Sequence, residues 1–345
     1  MKRNAPALPK KKNYYFLAIT LTLTGIIFGF SLAWLIKPNP VNKEDGGNVA
    51  SQQPSPCPSS LILVRETDKP LIGPLIFADV ATESQSYDAL KDELTQTIDS
   101  YKEKGMISSA SVYLRQLNDG SWMELNGSAT YLPGSLMKVA IMLYYLKQEE
   151  NKPGVLNEEF FCKKPVSEFP KQAYEGESIQ AGRDYKVSEL IHFMIVESDN
   201  LAANVLSQHL DAVQFHAMFD DLDIPADDIN DLDYVINPKE YSKFLRALYN
   251  SSYVNPKLSE YGIKLLTQSG FRDGLGKKLP SGIIIARKFG ERGRGRVSDF
   301  SESGIVYNGD KPYLITIMTR GTSMKEQAEV ISEISEEVYR KFSRN

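Results

Sequence analysis

The order of elements along this chain predicts an α+β fold: an antiparallel sheet built from both ends of the chain, with a helical subdomain inserted between them. Three observations carry that reading. Two alternating apolar segments flank an Asn118-Asp-Gly120 turn, helical periodicity fills the middle of the chain, and three strand-like runs precede one last amphipathic helix.

The chain begins with a basic tail, residues 1–13, carrying Lys2, Arg3, Lys10, Lys11 and Lys12. Residues 14–36 hold no charge and are long enough to span a hydrocarbon core, which predicts one N-terminal transmembrane helix. Only Lys37 follows closely, so the positive-inside rule leaves the N-terminus in the cytoplasm and the body outside the cell membrane. A cleaved signal peptide is the rival reading. Against it, the apolar run is long and Ser31-Leu-Ala-Trp34 is a poor small-residue cleavage site. Residues 37–60 are rich in Pro, Asn, Gly and Ser and read as a flexible linker to a single domain over 61–345.

In that domain, 61–64 and 71–77 are short apolar runs, read as a strand crossing the sheet edge. Leu90, Leu94, Ile98 and Tyr101 stand at helical spacing within 87–104. Residues 110–117 alternate as a strand and 121–125 return as its hairpin partner. An apolar helix starts at or just before Ser135, and 147–186 read mostly as loop with short strands. Helices follow at 187–196 and 201–210, separated by Glu197-Ser-Asp-Asn200, and at 212–222. An acidic loop covers 223–234. Helices at 238–249, with Pro in its first turn, and 258–269 come next. Strands at 282–288, 303–307 and 313–319 and a helix over 324–342 close the chain.

Composition excludes several function classes. A net charge of −4 over 345 residues gives no reason to expect nucleic acid. No Gly-rich phosphate loop and no Cys/His cluster with zinc spacing is present, so neither cofactor nor metal is expected. His192, His209 and His216 lie in helical sequence with no acid-base partner pattern and read as structural or surface residues. An extracytoplasmic location would permit a disulfide between Cys57 and Cys162, but two distant cysteines do not establish one.

The chemistry centres on Pro133-Gly-Ser-Leu-Met-Lys138. Ser135 and Lys138 stand at i and i+3 and share one helix face. Lys138 is the only residue between 132 and 146 of a type charged at neutral pH, and burial there favours a neutral, proton-accepting amine beside a nucleophile. By itself this four-residue pattern is weak. Two later clusters strengthen it: Ser198-Asp-Asn200 between two helices, and Lys288-Phe-Gly290, which reads as the end of the strand Ile283-Ile-Ile-Ala286.

S-x-x-K, S-D-N and K-x-G in this order resemble the signature of class A β-lactamases and penicillin-binding proteins. The resemblance runs from about residue 71 to the C-terminus and implies a β-lactamase/transpeptidase-like fold. It also implies roles. Ser135 is the acylated nucleophile, Lys138 takes its proton directly or through a water, and Ser198 returns a proton to the leaving nitrogen. Asn200 binds the substrate amide and helps hold Lys138. Lys288 attracts the substrate carboxylate, and the strand edge past Gly290 offers the Glu291 backbone N–H, with that of Ser135, as an oxyanion hole. Asp199 is expected to be structural.

Two departures qualify the resemblance. Phe289 stands where the family has Thr or Ser, a hydroxyl that binds the substrate carboxylate. Arg287, Arg292, Arg294 and Arg296 either supply replacement charge or are solvated. Second, the 220–234 interval is short and carries no glutamate of the kind that activates the deacylating water in class A enzymes. Asp231 and Asp233 are weak substitutes. The expectation is therefore a membrane-anchored serine hydrolase of the β-lactamase/penicillin-binding class, acylated at Ser135 by a β-lactam or cell-wall peptide and slow to release it. The alternatives are a non-catalytic protein of this fold that binds wall fragments or a protein partner, and a Ser-Lys esterase. The sequence is silent on oligomeric state.

Overall fold

The structure, a computed structural model, describes residues 61–66, 74–165, 172, 174, 176–226, 229 and 234–343. The expected anchor and linker, Cys57, Asp231 and Asp233 lie outside the described residues. Among the described residues no helix is long and apolar enough to cross a membrane.

A hairpin of β1 (Leu61–Arg65) and β2 (Leu75–Val80) leads to α1 (Asp88–Glu103). Strands β3 (Ser109–Gln116) and β4 (Trp122–Leu125) follow, then α2 (Met137–Asn151). A small pair, β5 (Glu159–Phe161) and β6 (Asp184–Lys186), precedes α3 (Val187–Val196), α4 (Asn200–His209) and α5 (Ala212–Asp221). Next come α6 (Pro238–Tyr249) and α7 (Pro256–Thr267). The chain ends with β7 (Ile284–Arg294), β8 (Val297–Tyr307), β9 (Tyr313–Gly321) and α8 (Met324–Ser343).

The main sheet has the order β4-β3-β9-β8-β7 and is antiparallel throughout. It does draw on both ends of the chain, with the helices inserted between. Strand alternation gives the sheet two buried faces. Leu114, Phe289, Phe300, Ile315 and Ile317 pack with Leu94 of α1 and Ile331 and Ile334 of α8. Tyr113, Ala286, Ile305, Leu314 and Met318 pack toward α2 and the helices after it. In α2 every residue from Lys138 to Leu146 is buried. A helix buried all round is a central one, which is why its apolar run shows no polar face.

Two readings need correction. The first two strands pair with each other, Ile62 opposite Asp79, rather than crossing the edge of the main sheet. And β7 does not end near Lys288: it runs to Arg294 and pairs along its whole length with β8, Lys288 opposite Ser303 and Gly290 opposite Ser301. The continuation was hidden because residues 298–303 look too polar for a strand. Ser298, Asp299, Ser301, Glu302 and Ser303 are all buried polar residues, so hydrophobic periodicity fails there.

Candidate active site

Ser135 lies in a 3₁₀ turn, Gly134–Leu136, that runs directly into α2. This turn is clamped on both sides. Tyr131 bridges Ile236, Leu132 N–H donates to Asp299 Oδ2 at 2.8 Å, and Tyr241 OH donates to the Leu136 carbonyl at 3.0 Å. Asp299 is in turn held by Arg320, through Nε at 2.7 Å and Nη2 at 2.9 Å.

Strand β7 presses against the turn. A Cβ on Gly134, which also has φ of +51°, would come 2.2 Å from the Glu291 carbonyl oxygen, and one on Gly290 would come 2.3 Å from that of Pro133. Only glycine fits at either position. This approach brings the Glu291 backbone alongside the Ser135 turn.

Between α3 and α4, Ser198 adopts φ of +55°, an uncommon conformation for a residue with a side chain. Asp199 caps α4, accepting from Leu201 N–H at 2.9 Å and Ala202 N–H at 3.2 Å. It also accepts from Ser178 Oγ at 2.9 Å and Ile179 N–H at 3.1 Å, a structural role as expected. These bonds fix the Ser198 turn and leave Asn200 at the first helical position, facing Lys138.

The three clusters meet at Ser198. Lys138 Nζ donates to the Ser198 carbonyl at 2.5 Å and to Asn200 Oδ1 at 2.8 Å, and lies 3.3 Å from Ser198 Oγ. Lys288 Nζ donates to Ser198 Oγ at 2.9 Å and to the Phe289 carbonyl at 2.9 Å. Relative exposure is 4% for Lys138, 1% for Ser198 and 0% for Lys288. Among the described residues, no carboxylate pairs with either amine. Burial lowers Lys138 to about 7, against the opposing pull of Asp199 and Glu291. Burial, with the charge of Lys138 adding to it, pushes Lys288 well below the ordinary lysine value, while Glu302 and Glu291 oppose the shift. A neutral Lys138 has two N–H groups and one lone pair. The Ser198 carbonyl and Asn200 Oδ1 take the two N–H groups, so the lone pair remains for a hydroxyl proton.

Family models place residues 89–342 in the β-lactamase enzyme family. The chain belongs to that family. Its members are β-lactamase-like serine enzymes, and the solved structures it resembles share the fold. PBP-A, as an L158E mutant in an acyl-enzyme complex with penicillin G, is 18% identical over 74% of this chain and 98% of its own, with a TM-score of 0.62. The TLA-1 extended-spectrum β-lactamase is 16% identical over 73% and 99%, with a TM-score of 0.62. A class A β-lactamase from Bacteroides cellulosilyticus DSM 14838 is 18% identical over 74% and 99%, again at 0.62. No curated protein matches the chain.

Set against other β-lactamase-fold enzymes, Phe289 has a local explanation. Its ring packs on the α1 and α8 side of the sheet, in an aromatic cluster with Phe271 at 4.5 Å and Phe300 at 6.2 Å, with Lys288 Nζ 4.1 Å from its centroid. The position serves the core, so a hydroxyl there would be buried among rings. Arg287 turns to the same side, where it donates to the Phe271 carbonyl at 2.6 Å and lies 3.7 Å from Glu302. It does not supply the replacement charge considered for it. Arg292 and Arg296 are exposed.

Three contributors went unseen in the sequence. Gln172 accepts from Ser198 Oγ at 3.4 Å and donates to the Ser198 carbonyl at 3.3 Å, from a segment that carries no motif. Asp299 and Arg320 were missed because their pairing depends on β8 continuing past Ser303. The histidines are outside the site. His209 stacks on Phe160 at 4.0 Å, His192 packs edge-on to Phe193, and His216 lies 3.6 Å from Asp220.

Proposed function

We propose that this β-lactamase-family chain is a membrane-anchored, extracytoplasmic serine acyl-enzyme former, acylated at Ser135 by a β-lactam or a cell-wall peptide and slow to release the acyl group. One observation carries the reading. Ser198 Oγ lies 2.9 Å from one buried amine and 3.3 Å from another, with Ser135 one helical turn from the second.

In the proposed reaction Ser135 Oγ attacks the amide carbonyl while neutral Lys138 accepts its proton. The Ser135 and Glu291 N–H groups stabilise the oxyanion; losing one such donor typically costs about 3–4 kcal/mol. As the C–N bond breaks, Ser198 gives its proton to the leaving nitrogen and is resupplied from the lysine side. Asn200 holds Lys138 and meets the substrate amide, and Lys288 attracts the substrate carboxylate. Release of the acyl group then needs a water and a base. The 220–234 interval offers aspartates but no glutamate, which supports slow turnover. The penicillin G acyl-enzyme of PBP-A supports acylation as a property of a related site. The uncharged 14–36 run supports the anchor.

A fluorescent penicillin tests this directly. The purified chain retains one label per molecule for many minutes, and Ser135→Ala retains none. Absence of label on the parent protein removes the acylation claim, and rapid hydrolysis of the penicillin removes the claim of slow release.

A further inference from the structure

We propose that Arg292 reads a carboxylate on the acyl side of the substrate, so that the site prefers acyl groups carrying a second negative charge. The inference rests on the acylation of Ser135 proposed above and adds the substrate class.

Contacts along β7 come in a fixed order. Lys288 meets Ser198, Gly290 meets Pro133 and Leu136, and the Glu291 backbone meets Gly134. Arg292 then lines an open cavity of about 160 Å³ with Leu132, Pro133, Met137, Ile229 and Tyr234. The turn that carries Ser135 therefore sits between the Lys288 end of the strand and the Arg292 end. Four residues of strand separate these ends by about 13 Å, since each residue rises about 3.3 Å. They are too far apart to share one small anion. An amide attacked at Ser135 places its leaving nitrogen at Ser198. Its acyl substituent must leave in the opposite direction, toward Arg292.

Among the described residues Arg292 has no ion-pair or hydrogen-bond partner. Asp299, directly across the strand pair, is the obvious candidate. Its carboxylate is already taken by both Arg320 nitrogens and by Leu132 N–H. A second cavity is lined by Arg292, Arg320 and Asp299 together with Leu132, Val235 and Val297, so two guanidiniums face one carboxylate. The rest of both walls is largely apolar. An apolar acyl chain ending in a carboxylate matches a largely apolar cavity lined by a guanidinium that no described residue pairs, and such charged pairs favour planar, bidentate geometry.

The test uses a matched pair, benzylpenicillin and its α-carboxy derivative, which differ by one acyl-side carboxylate. Second-order acylation constants are measured by intact-mass kinetics for the parent, R292Q and R292K. The ratio of the dianion constant to the monoanion constant falls about tenfold in R292Q, the scale expected for one charge-assisted hydrogen bond. R292K retains part of it. An unchanged ratio in R292Q overturns the proposal, as does an equal fall in both constants. If neither penicillin acylates the parent, the Ser135 reading fails by itself. The ratio is then read from non-covalent affinities measured by calorimetry, where a fall in R292Q supports the role of Arg292 and an unchanged ratio overturns it.

Discussion

Two clusters of buried cations in this molecule show how a counter-ion decides between structure and chemistry. In the first, Arg115 and Arg246 share the carboxylate of Asp79. Arg246 grips it through two nitrogens at 2.9 and 2.6 Å, and Arg115 adds a third contact at 3.1 Å. Burial would raise Asp79, but Arg246 and Arg115 together hold it below the usual carboxylate value. This cluster ties β2 to β3 and α6 and has no proton to trade. In the second, Lys138 and Lys288 share a hydroxyl, Ser198, and no carboxylate pairs with either among the described residues. Desolvation outweighs the pull of the nearby carboxylates, Asp199 and Glu291 on Lys138 and Glu302 and Glu291 on Lys288, and both amine pKa values are depressed. A paired buried cation is a tie; one that no described carboxylate pairs is suited to the base role proposed for Lys138.

Removing one member of each cluster separates the two roles. The largest effect expected is on chemistry: Lys138→Met lowers the acylation rate by about 10²–10⁴, the usual worth of a positioned base. Folding stability stays equal or rises, because the substitution removes a buried amine that no described carboxylate pairs. Rapid-mixing labelling and a thermal melt on the same sample check both halves, and retained acylation breaks the contrast. The next largest is on stability: Asp79→Asn leaves two buried guanidiniums uncompensated and costs about 3–5 kcal/mol. Urea unfolding measures it, and a loss below about 1 kcal/mol shows the tie to be idle.

A smaller effect sharpens the comparison through pH. Unfolded Lys138 holds its proton up to about 10.5, while the folded site releases it near 7. Between those values the unfolded chain binds more protons, so the stability contribution of this site rises with pH. Stability curves of the parent and Lys138→Met therefore converge as pH rises through that window. Parallel curves would place the Lys138 pKa elsewhere.

The sequence made the site far more legible than its supports. Ser135, Lys138, Ser198, Asn200 and Lys288 stand in motifs with fixed spacing, and the apolar stretch around Lys138 announced its burial. Gly290 was readable only as a motif letter and Gly134 only as half of a Pro-Gly pair; their reason, the close approach of β7 to the Ser135 turn, is a tertiary fact. The second half of β7 and the first half of β8 were lost because buried Ser, Asp and Glu residues mimic a loop when only periodicity is read. With that hairpin went Asp299 and Arg320. Phe289 looked like a damaged motif position, although it packs on Phe271 and Phe300 and lies 4.1 Å from Lys288 Nζ.

Acylation by this route requires Lys138 to be neutral when Ser135 attacks. The most direct measurement is the pH dependence of the second-order constant for acylation by benzylpenicillin, followed by intact mass from about pH 5 to about pH 9. A neutral-lysine base predicts a rate that climbs as Lys138 loses its proton, with an apparent pKa near 7, and then levels. A rate that is flat across that range, or that falls as pH rises through 7, contradicts it.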